Sequence, residues 1–292
     1  MDWAREKGPD AVTYLAAVER LVAGHDLYSL VPGDRVIAAN PPYWTAPFLS
    51  PPAVALLWSP FAVIPGGMVL WYLGAWGALL GTVVTALRRG GPLAVSLCVL
   101  LAGAIAVASV MANLNAYLAA GTMLAWVKRR DDRVGALIGV MAALKLAPVV
   151  LGFWLLADRR WRALGWMAAA VLAVTGAAAL ATGFDTSVEY LSIAIGIPPS
   201  PESLSAMTGI GWIHYVVVVV GCAVTLVTRG WVSFSAAVIA MTLGSPAMYQ
   251  SSLVMLLPVA VAAADDRGRP ILRRRSGGGG QGQESRPCEA IA

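Results

Sequence analysis

The chain has 292 residues, 58% hydrophobic and only 13% charged, with a mean hydropathy of +0.71. Soluble domains carry roughly 25% charged residues, so this composition excludes an ordinary soluble enzyme and points to a polytopic membrane protein. The net charge of +5 falls in short basic clusters between apolar segments, which reads as membrane topology rather than nucleic-acid binding.

In chain order, residues 1–50 read as an extracytoplasmic segment, 51–264 as a transmembrane bundle and 265–292 as a disordered cytoplasmic tail. The first segment opens on Asp10, a residue suited to cap a helix. After it, Val12, Leu15, Ala16, Val18 and Val22 recur at helical spacing and predict one apolar face. Pro41-Pro42-Tyr43 follows, and then a proline-bracketed stretch from Pro51 to Pro65. That stretch is too short to cross a membrane, which takes about 20 residues, and predicts a helix at the outer interface.

Apolar segments then run over 66–87, 92–110, 112–127, 134–157, 163–182, 209–227, 231–244 and 251–264, giving around seven full spans. Lys and Arg collect on the cytoplasmic side, at Arg88-Arg89, Lys128-Arg129-Arg130, Arg159-Arg160, Arg229 and the tail. Residues 183–207 lack Lys and Arg but hold Asp185, Glu189 and Glu202, so they are expected outside as a solvated loop. Segment 134–157 has basic clusters at both ends, and a straight helix cannot return to the side it left. Pro148, which removes a helix hydrogen bond and clashes with the preceding turn, predicts two half-helices meeting near Lys145. Broken backbone at that depth is tolerated where it is buried in protein or lines a cavity. By the same parity residues 1–50 lie outside, which leads to the expectation of a further membrane helix ahead of them.

Further along the chain come Ala112-Asn113-Leu114-Asn115 at the outer start of a span, then Gly139 to Pro148 around Ala143-Leu144-Lys145, then Ser245-Pro246-Ala247-Met248-Tyr249-Gln250. Ser245-Pro246 reads as a turn, and His214, inside an apolar span, as a hydrogen-bonded core residue. With Asp10, Tyr14, Gly24, Leu27 and Tyr28 ahead of Pro51-Pro52, this order resembles the family 87 glycosyltransferases of the GT-C superfamily. Members include actinobacterial mannosyltransferases of the cell envelope. The resemblance implies an all-α polytopic membrane bundle, GT-C-like, with the broken half-helix hairpin and the outer interfacial segment already read from the charges. It also implies transfer of a sugar, mannose or arabinose, from a polyprenyl-phosphate donor to a glycolipid or polysaccharide acceptor, with the active site on the extracytoplasmic side.

On that resemblance Asp10 falls at the position of the catalytic base. Asn113, Asn115, Lys145, Tyr249 and Gln250 are the donors available for substrate and its departing phosphate. Where members carry G-Q-x-N this chain has Ala112 to Asn115, and where they carry S-P-x-x-W-x-H-H it has Tyr249, Gln250, Ser251 and Ser252. No nucleotide-binding glycine motif or Cys/His metal cluster stands in the sequence. The expectation is therefore no cofactor and no metal ligand set, with the lipid-linked sugar as co-substrate, membrane lipids as surroundings and no nucleic-acid partner. The rival readings are a non-catalytic remnant or partner subunit, suggested by Ser251-Ser252, and a transporter, suggested by the broken helix and Lys145.

Overall fold

A computed structural model describes residues 10–28, 48–196, 199–246 and 248–267 of the chain. Pro41-Pro42-Tyr43, Cys288 and nearly all of the tail lie outside the described residues. Of the described residues 81% are helical, and none of them forms a strand. This is an all-α membrane bundle, as the composition requires.

Helix α1 (Asp10–Val22) buries Ala11, Tyr14, Ala17 and Val18. The buried face is rotated from the expected one: Val22 is 80% exposed, because Tyr14 enters an aromatic cluster and turns the helix with it. Tyr14 lies 6.4 Å from the Trp58 ring and 6.0 Å from the Trp71 ring, distances at which tilted and edge-on aromatic pairs are favourable. At the far end of α1 the Arg20 guanidinium donates to the Asp26 carbonyl, closing the chain back on the helix. Trp58 belongs to α2 (Pro52–Val63), the short helix expected between the prolines, and is fully buried.

Among the described residues two helices are long and apolar enough to cross a membrane, α3 (Gly67–Arg89) and α9 (Trp161–Thr182). A third span is possible by length if α4 (Gly91–Leu100) and α5 (Ala102–Met111) count as one, but they meet at 65° around Leu101. The straight span expected over 92–110 is therefore bent. The remaining apolar helices are shorter: α6 (Leu114–Val127), α7 (Val134–Leu144), α8 (Leu151–Ala157), α12 (Ile213–Val227), α13 (Gly230–Leu243) and α14 (Leu257–Arg267). The count of around seven full spans gives way to a bundle of a few long helices and many partial ones. Residues 183–207, expected as a loop, instead form α10 (Phe184–Gly196) and part of α11 (Leu204–Thr208). Phe184, Val188, Leu191 and Ile195 line up exposed along α10, an apolar stripe at helical spacing that suits a helix lying in an interface.

The hairpin at 134–157 is present. Helix α7 ends at Lys145, whose backbone is extended at φ −152° and ψ 127°, and a 3₁₀ turn over Ala147–Val150 leads into α8. Both ends return to one place: Arg160, past α8, pairs with Asp132, before α7, at 3.1 Å and donates to the Asp131 carbonyl at 2.8 Å. Gly135 lets α7 press onto α9, since a Cβ there would stand 1.8 Å from the Ala163 carbonyl oxygen.

The other basic clusters gather at this same end. Arg129 pairs with Asp265 at 3.1 Å, and Arg229 donates to the Ala157 carbonyl at 2.5 Å. Arg89, Lys128, Arg129, Arg130, Asp131 and Asp265 line a cavity of about 400 Å³ there, together with Val127. The charge pattern thus sorted the loops correctly by end of the bundle.

Candidate functional site

At the opposite end of α6 from the basic cluster, four residues from three separate segments come together with Ser251 and Ser252. Helix α5 stops at Ala112, which is buried and left-handed at φ +44°. Asn113 then caps α6, its side-chain oxygen accepting from the Asn115 N–H at 3.1 Å. This turn puts both asparagine side chains at the head of the helix, and both are buried.

The Asn113 amide donates to the Ser251 hydroxyl at 2.9 Å and favours the ionised form of the neighbouring Asp10 carboxyl. The Asn115 amide donates to Ser251 at 3.0 Å and to Ser252 at 3.2 Å. The Asn115 side-chain oxygen in turn accepts from the Lys145 ammonium at 2.8 Å. Lys145 thus begins a hydrogen-bonded chain that ends at Asn113, beside Asp10, and Asp10 and Lys145 feel each other's charge.

The lengths of the helices explain why Lys145 reaches this level. An α-helix rises about 1.5 Å per residue, so the 11 residues of α7 climb less far than the 14 of α6. The lysine side chain at the broken end makes up the difference. Residues Ser251 and Ser252 are supplied by a 3₁₀ segment over Gln250–Leu256 that packs on α5 and α6.

Burial pushes the Asp10 carboxyl above the usual carboxylate range, opposed by the Asn113 hydrogen bond and the Lys145 charge. Burial, reinforced by Asp10, also holds the Tyr14 hydroxyl well above its usual value. A carboxyl kept reluctant to ionise is a better proton acceptor once it does so.

Tyr249 and Gln250 stand at the edge of this cluster and are exposed. The Gln250 N–H is bonded to the Glu202 carboxylate, and its side-chain amide lies against Gly103. His214 is buried, its Nδ1 2.7 Å from the Ser205 hydroxyl, a core pairing as expected. Among the described residues no group of three or more His, Cys, Asp and Glu gathers.

The sequence reading missed Ser251 and Ser252. They were noticed as replacements of two histidines, whereas in the fold they accept three bonds from the asparagine amides. Ala112 also repays attention, because a left-handed alanine costs roughly 1–2 kcal/mol. Glycine relieves this but loses about 0.4–1 kcal/mol through the freer unfolded chain. Ala112→Gly is thus expected to raise stability by at most about 1.6 kcal/mol. A higher Tm in detergent would show it, and a lower one would mean that the buried methyl outweighs the strain.

Comparison with known proteins follows the same residues. The model of glycosyltransferase family 87 matches residues 48–206, a range holding Asn113, Asn115 and Lys145 but neither Asp10 nor Ser251. A polyprenol-phosphate-mannose-dependent α-(1-2)-phosphatidylinositol pentamannoside mannosyltransferase of Mycolicibacterium smegmatis is 28% identical over 183 residues. That alignment covers 60% of this chain and 43% of the relative, so the matched region spans under half the relative's length. No solved structure matches the chain.

Proposed function

Because the chain belongs to glycosyltransferase family 87, we propose that it moves a sugar, mannose first among candidates, from a polyprenyl-phosphate donor to a hydroxyl of an envelope glycolipid or polysaccharide. The observation that carries this reading is the pairing of Asp10 and Lys145 through one buried network at the head of α6. The reaction needs a base for the acceptor proton and a positive group for the leaving phosphate, and these are the two groups at its ends.

Asp10 takes the proton of the acceptor hydroxyl as its oxygen bonds to the anomeric carbon. The bond from that carbon to the phosphate oxygen breaks, and polyprenyl phosphate leaves with the electron pair. An ammonium has three N–H donors. One of Lys145's is held by Asn115, and the other two are suited to phosphate oxygens. The N-terminal end of α6 adds the positive end of a helix dipole at the same place. Tyr249 and Gln250, exposed at the edge, would meet the sugar or the acceptor rather than the phosphate.

The gathering of the basic clusters at one end supports placing that end toward the cytoplasm by the positive-inside rule, with Asp10, at the other end, on the outer side. The mannosyltransferase relative supports a polyprenol-phosphate-linked mannose as donor.

The test is transfer by the purified chain in proteoliposomes, offered radiolabelled polyprenyl-phosphate mannose, or GDP-mannose in parallel, with a mycobacterial lipid extract as acceptor. Label entering glycolipid from the lipid-linked donor alone is the expected result. Transfer from GDP-mannose, or from neither donor, would overturn the reading.

A further inference from the structure

We propose that Ser251 is the positioning residue that holds Asp10 and Lys145 at their working separation, an inference that rests on the transferase reading above. The argument is a count of hydrogens. A side-chain amide has two N–H donors and one carbonyl oxygen. The Asn113 amide spends one donor on Ser251 and its oxygen on the Asn115 N–H, with Asp10 as its remaining neighbour. The Asn115 amide spends its donors on Ser251 and Ser252, and its oxygen on Lys145.

Two consequences follow. First, Asn115 has no donor left for substrate and Asn113 has its other donor beside Asp10, so their part is to aim the groups at the ends of the chain. Asp10 and Lys145 are the members left facing substrate. Second, the two amides are joined to each other through the Ser251 hydroxyl, which accepts from both. Ser252 accepts only from Asn115. Removing the Ser251 hydroxyl leaves one buried donor unpaired on each asparagine, and either amide can then turn to seek another partner. A turned Asn115 presents N–H instead of oxygen to Lys145. A turned Asn113 does the same to the cap of α6.

The adjacent serine supplies the control. Ser251 and Ser252 are both buried, at 2% and 1% exposure, on the same 3₁₀ turn. Alanine at either removes the same atom from comparable packing, so a merely structural role predicts similar losses. The positioning role predicts unequal ones: S251A transferring at least about 30-fold more slowly than wild type and S252A within about 5-fold, magnitudes set against the 10²-fold cost of misplacing a reacting group by about 1 Å.

The second readout does not use transfer. Lys145 is one of three lysines, with Lys7 and Lys128, so its acylation by an amine reagent can be followed by peptide mass spectrometry against Lys128 as internal reference. Losing the Asn115 oxygen removes a group that stabilises the ammonium. The pH midpoint for labelling Lys145 in S251A should then fall below that of wild type, with the Lys128 peptide unmoved; S252A also frees one Asn115 donor, so the two variants are told apart by transfer and not by this midpoint. An unmoved Lys145 midpoint in a folded S251A, or equal losses of transfer in both variants, would overturn the proposal. If wild type transfers no sugar while the S251A midpoint still falls, the network stands and the transferase reading fails.

Discussion

Asp10→Asn is expected to slow sugar transfer by about 10²–10⁴-fold, the range that a positioned general base contributes, while leaving the fold intact. Asparagine keeps an oxygen beside the Asn113 amide and touches none of the bonds among Asn113, Asn115, Ser251 and Lys145, so the network at the head of α6 survives and only the basicity is lost. The pH dependence carries its own sign. Burial raises the Asp10 carboxyl above the usual carboxylate range, and a base works only when ionised, so wild-type transfer should fall as pH drops through that raised value. The residual activity of Asp10→Asn should lack this limb.

Stability should move the other way. A carboxyl whose pKa is higher folded than unfolded binds extra protons in the native state. The stability it contributes is present below the unfolded value and fades as pH rises through the folded one. At neutral pH Asp10→Asn is therefore expected to match or exceed the wild type in Tm, with the difference vanishing at acid pH. Transfer within about 3-fold of wild type, far under the general-base range, would reduce Asp10 to a residue that only begins a helix.

Lys145→Gln is expected to cost about 10²–10³-fold in transfer, comparable with losing one donor to a developing oxyanion. Glutamine can still donate to the Asn115 oxygen that now accepts from the ammonium at 2.8 Å. A loss seen with this variant therefore reports the missing charge rather than a collapsed network. Because the phosphate is charged before and after the bond breaks, the loss should divide between a raised KM for the lipid-linked donor and a lowered kcat. Lys145→Met, which leaves the buried Asn115 oxygen without its partner, should be less stable as well, by about 1–3 kcal/mol. A Lys145→Gln enzyme with wild-type kinetics would show that the hairpin tip only seals the bundle.

Much of this arrangement was legible in the sequence, for reasons that can be stated residue by residue. The return of segment 134–157 followed from Arg129-Arg130 and Arg159-Arg160 at its two ends, and the contact between Arg160 and Asp132 is that return in the fold. Pro148 marked the neighbourhood of the break, though the extended residue is Lys145 itself, with Pro148 in the 3₁₀ turn that follows. Asp10, Asn113, Asn115 and Lys145 were singled out by motif order and by depth, and they do meet.

What stayed hidden has a common cause. The bond between Asn113 and Ser251 spans 138 positions, and no local periodicity signals a serine that accepts from two amides. The bend at Leu101 has no proline, and Gly103 alone does not announce 65°. Helix α10 was masked by its acids, since Asp185 and Glu189 read as a solvated loop until the apolar stripe through Phe184 and Ile195 is laid on a helix.

The central claim is that the donor's phosphate sits at the hairpin tip, opposite the acid. Its most direct test is a structure of the full chain in lipid nanodiscs with polyprenyl phosphate bound. The expected result is a phosphate oxygen at hydrogen-bond distance, about 3 Å, from the Lys145 ammonium, with Asp10 on the side of the acceptor. A phosphate seated instead at the basic end, between Arg89 and Arg130, with Lys145 still bonded to Asn115 alone, would contradict the account.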